Sequence, residues 1–305
     1  MKTAEQTRPH RSYRGVVGVG TAFGTFGELL QGTVPEPDGD FLVTLPIARW
    51  SMATFRSDPY SRELRVEPAH KTKALRLTEM IIDATGADTG GVLTLESGLP
   101  EGKGMASSSA DLVATARAVS NALRADLPCR RIEEMLRRIE PTDGVLYPGV
   151  VAYHHRTVRL RAYLGTLPQL TVIAIDEGGQ VDTIAFNRIP KPFSPADKRE
   201  YARLLDRLGA AVRAGDVAAV GEVATRSAIM NQVLQPKRTL APMLDICAAH
   251  GGLGVVNAHS GTTLGVLLDT ADPDYPDKMV AIASDCYALA GNVSAYCALT
   301  FEGPS

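Results

Sequence analysis

Short β-branched and alternating apolar runs dominate the first hundred residues of the chain. They fall at residues 16–19, 41–45, 49–55, 64–66 and 92–95, and the turn-forming stretch Pro35-Glu36-Pro37-Asp38-Gly39-Asp40 separates the first two. A strand-rich first third is predicted. After Pro100 the period changes, because Leu112, Ala116, Val119 and Leu123 recur at helical spacing behind Ser107, Ser108 and Ser109, which offer N-caps. A helix starting close to Ser108 follows. A second helix, rich in Arg and Glu, is expected from about Cys129 to Ile139. It stops at Pro141, since the residue before a proline is pushed out of the α region.

A buried strand at residues 170–175 opens the second half after a linker around 165–169, which places a division between residues 167 and 168. Helical periodicity returns in Tyr201, Leu204, Leu205, Leu208 and Val212, then in Val217, Val220, Val223 and Ala224, and again over residues 240–248. Strands at 255–258, 263–268 and 294–300 and a helix at 277–289 complete an α+β pattern, with helices on one face of a small sheet. The polar, basic first dozen residues are expected to be a frayed tail.

The chain has 305 residues, more than the roughly 250 at which a single core usually stops growing, so two packed units are expected. Its 32 Lys and Arg against 34 Asp and Glu leave a formal charge of -2. That balance argues against a polyanion held by bulk charge, and no nucleic acid partner is expected. Cys129, Cys247, Cys286 and Cys297 are scattered, with no C-x-x-C pair, which suits a reducing cytoplasm rather than a cysteine metal site. No apolar run has the length of a secretory signal or a membrane span, so no membrane partner is expected.

The most informative segment is Pro100-Glu101-Gly102-Lys103-Gly104-Met105-Ala106-Ser107-Ser108-Ser109-Ala110-Asp111, a glycine-containing loop that runs from a strand into a helix. Small residues let backbone N–H groups approach an anion, the helix start adds about half a positive charge, and Lys103 would add a full one. Serine hydroxyls beside phosphates also reach Mg²⁺. The loop is not a Walker sequence, and the ordinary alternative is a capped helix after a flexible loop. A second segment, Glu140-Pro141-Thr142-Asp143-Gly144, offers a carboxylate that would align an alcohol for phosphoryl transfer and receive its proton. Asp143 is the candidate, although P-T-D-G is also an ordinary turn sequence.

Residues 100–110 resemble the P-x-x-x-G-L-G-S-S-A-A signature of the GHMP kinases, the superfamily of galactokinase, homoserine kinase and mevalonate kinase. Gly20-Thr21-Ala22-Phe23-Gly24-Thr25-Phe26-Gly27-Glu28-Leu29-Leu30-Gln31-Gly32 resembles the first motif of the superfamily, and Ala258-His259-Ser260-Gly261-Thr262-Thr263-Leu264-Gly265 the third. The G-E-L-x-Q-G and G-K-G-M-A-S-S forms are similar to the bacterial L-threonine kinases of cobalamin side-chain synthesis. Met105 and Ala106 depart from the Leu and Gly usual in the superfamily. The resemblance implies a two-domain fold: an N-terminal domain like the second domain of ribosomal protein S5 over residues 1–167, and a ferredoxin-like domain over 168–305.

Carried onto this sequence, the resemblance implies that Lys103, Gly104, Met105, Ala106, Ser107, Ser108 and Ser109 hold ATP, with Ser108 on Mg²⁺. It implies a glutamate upstream of Asp143 as the second metal ligand, and counting back from Pro141 points to Glu134, with Glu133 as the fallback. Glu28 and Gln31 of the first motif, Asp143, and His259, Ser260 and Gly261 of the third would contact the acceptor. Glu28 reads equally as a surface residue on the first turn of a helix. His154 and His155 have no partner at metal-ligand spacing and read as surface. Arg156, Arg159 and Arg161 alternate like one strand face, from which an arginine would grip a carboxylate.

The expected function is therefore transfer of phosphate from ATP to the hydroxyl of L-threonine in the cytoplasm. Serine, homoserine and related amino alcohols are the alternative acceptors, and a homodimer is left open. A non-catalytic nucleotide-binding sensor is the reading from another class, against which the intact serines and Asp143 argue. An exposed interaction module fits poorly with 6% aromatic residues.

Overall fold

A computed structural model describes residues 15–181 and 189–301. The first dozen residues expected as a tail lie outside the described residues. The first long strand, β1 (Val17–Thr33), is longer than the pattern predicted: it continues through the whole glycine-rich first motif. It pairs antiparallel with β2 (Asp40–Asp58), which merges the two short runs predicted between residues 41 and 55. Irregularities in the pairing between Thr25, Glu28 and Leu30 bend the strand there, as bulges do.

The remaining N-terminal elements are β3 (Leu64–Glu67), α1 (Thr72–Thr85), β4 (Gly90–Ser97), α2 (Ser107–Leu123), α3 (Cys129–Arg137), β5 (Val150–His154) and β6 (Arg159–Gly165). Neither α1 nor β5 was evident from the pattern. In α1 the apolar face is confined to Ala74, Leu77, Ile81 and Ile82, all buried, and β5 is buried at every position, so it lacks the alternation that marks a strand. Helix α2 lies directly on β1. A Cβ at Gly20 would sit 2.3 Å from the carbonyl oxygen of Ala114, so glycine there and the fully buried alanines of α2 set the closeness of the contact.

The second half contributes β7 (Leu170–Asp176), α4 (Pro195–Ala214), α5 (Val217–Met230), a 3₁₀ turn at Asn231–Val233, α6 (Leu240–Ala249), β8 (Gly254–Asn257), β9 (Thr263–Asp269), α7 (Tyr275–Ala290) and β10 (Ser294–Cys297). Alternation sorts β7 and β9 between two cores. Ile173, Ile175, Leu264 and Val266 pack with α6 and α7, while Val172, Ala174 and Leu267 join the main core.

One sheet passes through both halves in the order β10-β7-β9-β8-β1-β2-β4-β3, with β5 on β2 and β6 on β5. The expected division between residues 167 and 168 falls in the connection from β6 to β7. A single pair, Glu28 opposite Asn257, joins β1 to β8. The residue at that junction is thus a motif glutamate, on a strand and 5% exposed rather than on a surface helix. Among the described residues no helix is long and apolar enough to cross a membrane.

Candidate active site

The chain from Gly102 to Ala106 turns three times through left-handed backbone, at Gly102 (φ 70°), Gly104 (φ 81°) and Ala106 (φ 56°), before α2 begins at Ser107. Ala106 is the N-cap residue and has no side-chain oxygen, so no side chain caps the first turn of α2. The leading N–H groups of a helix carry partial positive charge and need acceptors. Here they stand open to an anion. The superfamily pattern has glycine at the Ala106 position, and the left-handed conformation explains why. A side chain costs roughly 1–2 kcal/mol in that region. Ala106→Gly is expected to raise the stability of the chain by about 1 kcal/mol after the entropy of the extra glycine is offset, measurable as a higher midpoint in denaturant unfolding.

The loop is clamped from the first and third motifs. Thr262 N donates to Lys103 O at 3.4 Å and Gly27 N to Gly104 O at 3.1 Å. A Cβ at Gly261 would lie 2.1 Å from Lys103 O, so only glycine lets these two segments meet. The carbonyl of Gly261 also accepts from Lys237 Nζ and from Gln235 Nε2, the latter at 3.1 Å. Burial pushes the Lys237 ammonium down to about 8.

Above the start of α2 lies a cavity of about 350 Å³, lined by Ser107, Ser108 and Ser109, by Glu28, and by Glu140 and Asp143. That volume is at the lower end of small-molecule sites. Ser109 Oγ accepts from Asp143 N at 3.0 Å and donates to Asp143 Oδ2 at 3.2 Å. The carboxyl of Asp143 is pushed up to about 7, chiefly by desolvation, then by the negative charge of Glu28 and, more weakly, Glu140, with the Ser109 hydrogen bond opposing. Gly104, Met105, Ala106 and Ser260 also face the cavity.

The metal-ligand expectation needs correcting. Glu134 is half exposed on α3 and pairs with Arg131 at 3.0 Å, away from the cavity. Glu133 is buried but accepts from Tyr147 Oη at 3.0 Å and Leu160 N at 2.9 Å, which fastens α3 to its neighbours. The carboxylate that meets Ser108 Oγ is Glu140, whose other oxygen pairs with Lys73. Counting back along α3 assumes that the helix brings a carboxylate to Ser108, whereas the loop after it brings Glu140 there. A hydroxyl and one carboxylate beside the open start of α2 suit Mg²⁺, which keeps waters and takes few protein ligands. Among the described residues no cluster of three or more His, Cys, Asp or Glu could hold a metal by itself.

Three other expected residues stand elsewhere. His259 is fully buried: its ring Nδ1 lies 2.8 Å from Glu28 Oε2 and its Nε2 2.8 Å from Ser227 Oγ. Both ring nitrogens are used, so it orients Glu28 and does not face an acceptor. Lys103 turns from the phosphate site to Asp176 at 2.6 Å and Gly179 O at 2.7 Å, tying the loop to β7. Gln31 lies off the main cavity, its backbone N on Ser227 Oγ at 3.1 Å and its residue on a small adjoining pocket. Arg156 and Arg161 are neutralised by Asp40 at 2.7 Å and Glu36 at 2.8 Å.

Charged groups that the motifs did not reveal complete the rim. Lys71 bridges Glu101 and Asp111, 2.6 Å from the latter, and these ion pairs outweigh burial and hold its ammonium above the ordinary lysine range. Lys71 and Lys73 sit at the start of α1, the helix that periodicity missed. His154 and His155, read from sequence as surface, are buried at 4% and 3% exposure.

Residues 72–146 match the family described as GHMP kinases N terminal domain, and the fold around them is that of solved members. Over that stretch the chain is similar to the GHMP kinases. The homoserine kinase from Cytophaga hutchinsonii superposes with a TM-score of 0.70 at 15% identity, over 97% of this chain and 98% of that one. A mevalonate kinase from L. major, solved with R-mevalonate, superposes with a TM-score of 0.66 at 16% identity, over 97% and 99%. The L-threonine kinase of Citrobacter freundii is 28% identical over 266 residues, 82% of this chain and 86% of that protein. The matched region contains the glycine-rich loop, Glu140 and Asp143, while Glu28, backed by the buried His259, reaches the cavity from outside that region.

Proposed function

We propose that this chain transfers the γ-phosphoryl group of ATP to the side-chain hydroxyl of L-threonine. Support for the reaction type is the meeting of Asp143, held by Ser109, with the uncapped start of α2 in one cavity. Support for the acceptor is the similarity to the L-threonine kinase of Citrobacter freundii. The N–H groups of Ser107 to Ser109 would receive the phosphates, and Ser108 with Glu140 would hold Mg²⁺, which would supply positive charge against the phosphates. The acceptor oxygen attacks the γ-phosphorus as the bond to the ADP oxygen breaks, and its proton passes to Asp143. In a loose transition state much of the gain comes from alignment. Glu28, oriented by His259, faces the same cavity with a carboxylate suited to an ammonium group.

Homoserine is the second reading, favoured by the likeness to the homoserine kinase fold. The test is ADP release from Mg²⁺ and ATP with L-threonine, L-serine, L-homoserine, ethanolamine, 1-amino-2-propanol and mevalonate. Threonine is expected to give the highest kcat/KM. A higher value with homoserine would move the assignment to that acceptor, and silence with every acceptor would overturn the kinase reading.

A further inference from the structure

His155 follows the end of β5 and lines the same cavity as Glu28 and Asp143. It also lines the small pocket beyond, with Gln31, Lys191 and Asn231, so it forms part of the wall between the two. Its side chain is almost wholly buried, yet neither ring nitrogen has a hydrogen-bond partner. Two neighbours share that condition. Gln31 Oε1 and Thr142 Oγ1 are buried and unpartnered as well, and Thr142 is fixed to His155 by its backbone N on the His155 carbonyl at 3.2 Å. Buried polar atoms are nearly always satisfied, and leaving one unpaired costs about 1–3 kcal/mol. His155 and Thr142 on the cavity, with Gln31 on the small pocket behind His155, mark a wall shaped for a polar ligand.

The carboxylates of Glu28 and Asp143 make part of the cavity wall acidic, and the charge of Glu28 adds to burial in raising the carboxyl of Asp143. Around His155 charges of both signs meet: Lys191 and Arg156 act on the ring as positive charges and Asp40 as a negative one, with Asp40 paired to Arg156 at 2.7 Å. A ligand with an ammonium beside Glu28 and a hydrogen-bond acceptor beside the His155 ring would find a partner for each.

We infer that His155 hydrogen-bonds the α-carboxylate of the acceptor, with Thr142 beside it, so that the cavity selects a hydroxy amino acid over the corresponding amino alcohol. The inference rests on the kinase reading above. It places the ammonium at Glu28, the carboxylate at His155 and the hydroxyl at Asp143. Burial, helped by Lys191 and Arg156, depresses the imidazole to about 4, so in the free protein the ring is neutral and carries one N–H to donate. A neutral donor avoids the expense of a buried unpaired cation before the acceptor arrives. A site built around such a contact rejects analogues that lack its partner far better than a purely apolar pocket does.

L-threonine and 1-amino-2-propanol differ by the carboxylate alone, so the pair isolates the contact. A hydrogen bond to a charged group contributes about 1.5–3 kcal/mol, a factor of roughly 10–150. In full-length enzyme with Mg²⁺ and ATP, His155→Ala is expected to raise KM for L-threonine by about that factor. Kinetics with 1-amino-2-propanol and KM for ATP should hold within about twofold. His155→Gln, which keeps an N–H donor, should recover much of the lost threonine affinity. Equal losses with both acceptors would show a structural role and overturn the inference, as would an unchanged KM for threonine in His155→Ala.

A second measurement does not depend on a folded variant. The ring resonances of His155 in the wild-type protein should shift on adding L-threonine and stay in place with 1-amino-2-propanol. Shifts with both, or with neither, would also overturn the assignment. A wild-type enzyme that uses threonine while His155→Ala behaves normally removes only this inference. A wild-type enzyme without threonine turnover removes the kinase reading and this inference with it.

Discussion

Asp143→Asn is expected to lower kcat by about 10²–10⁴, the range typical of removing a positioned general base, with KM for ATP changed by less than about threefold. Ser109 holds the residue at two points, accepting from its backbone N and donating to its Oδ2, so asparagine keeps the shape and the contact while losing the ability to take a proton. Because the carboxyl of Asp143 is raised to about 7, kcat/KM should climb with pH through neutrality and then level off. In the asparagine variant that limb should be absent. A small loss of kcat with the limb retained would remove Asp143 from the chemistry.

Stability should move in the opposite direction. A carboxyl whose pKa rises on folding, here from 3.8 to about 7, binds its proton more tightly in the folded state. Its contribution to stability is greatest below the unfolded value and declines as pH rises between the two, reaching its minimum above about 7. Asparagine never ionises. The variant is therefore expected to unfold at a higher temperature than the wild type at pH 8, with the difference shrinking as pH falls toward 4. Active-site groups that oppose the fold are a common source of such trade-offs.

Glu140→Gln is expected to raise the Mg²⁺ concentration needed for half-maximal activity by about 10–100-fold, because a hard cation loses its anionic protein ligand. Glu140 also holds Lys73, so the variant frees a lysine beside the phosphate site. That separates two effects. Binding of ATP without metal should change little or tighten, whereas binding of the magnesium complex should weaken, and calorimetry with each form distinguishes them. Glu134→Gln is the control. Its ion pairs with Arg130 and Arg131 are exposed, and exposed pairs contribute about 0–1 kcal/mol, so activity and Mg²⁺ dependence should stay within about twofold. A larger metal effect from Glu134 than from Glu140 would restore the assignment made by spacing.

Where the sequence reading and the structure part, sequence separation explains the difference. The start of α2 was legible to within a residue because helical period is local, although the serines expected as N-caps lie inside the helix and Ala106 is the N-cap; the period likewise marked α4, α5 and α6 with their buried apolar faces. The continuity of β1 was not. Glycines at 20, 24 and 27 read as a loop by local preference, yet the strand survives because pairing with β2 and the close approach of α2 outweigh that preference. His155 looked like surface because nothing near it in the chain reports that β5 lies inside the fold.

The sequence by itself determined a helix start behind a glycine-containing loop, Asp143 as a candidate carboxylate, and the resemblance to the GHMP kinases. All rest on residues within a dozen positions of one another or on motifs in fixed order. Only the tertiary structure decided that Glu140 rather than Glu134 meets Ser108 and that His259 is consumed by Glu28 and Ser227. It likewise decided that His155 stands unpartnered at the cavity wall. Those contacts join groups 32, 32 and 231 residues apart for Ser108–Glu140, Ser227–His259 and Glu28–His259. Packing of helices and strands, which no local period encodes, selects among several similar side chains the one that arrives.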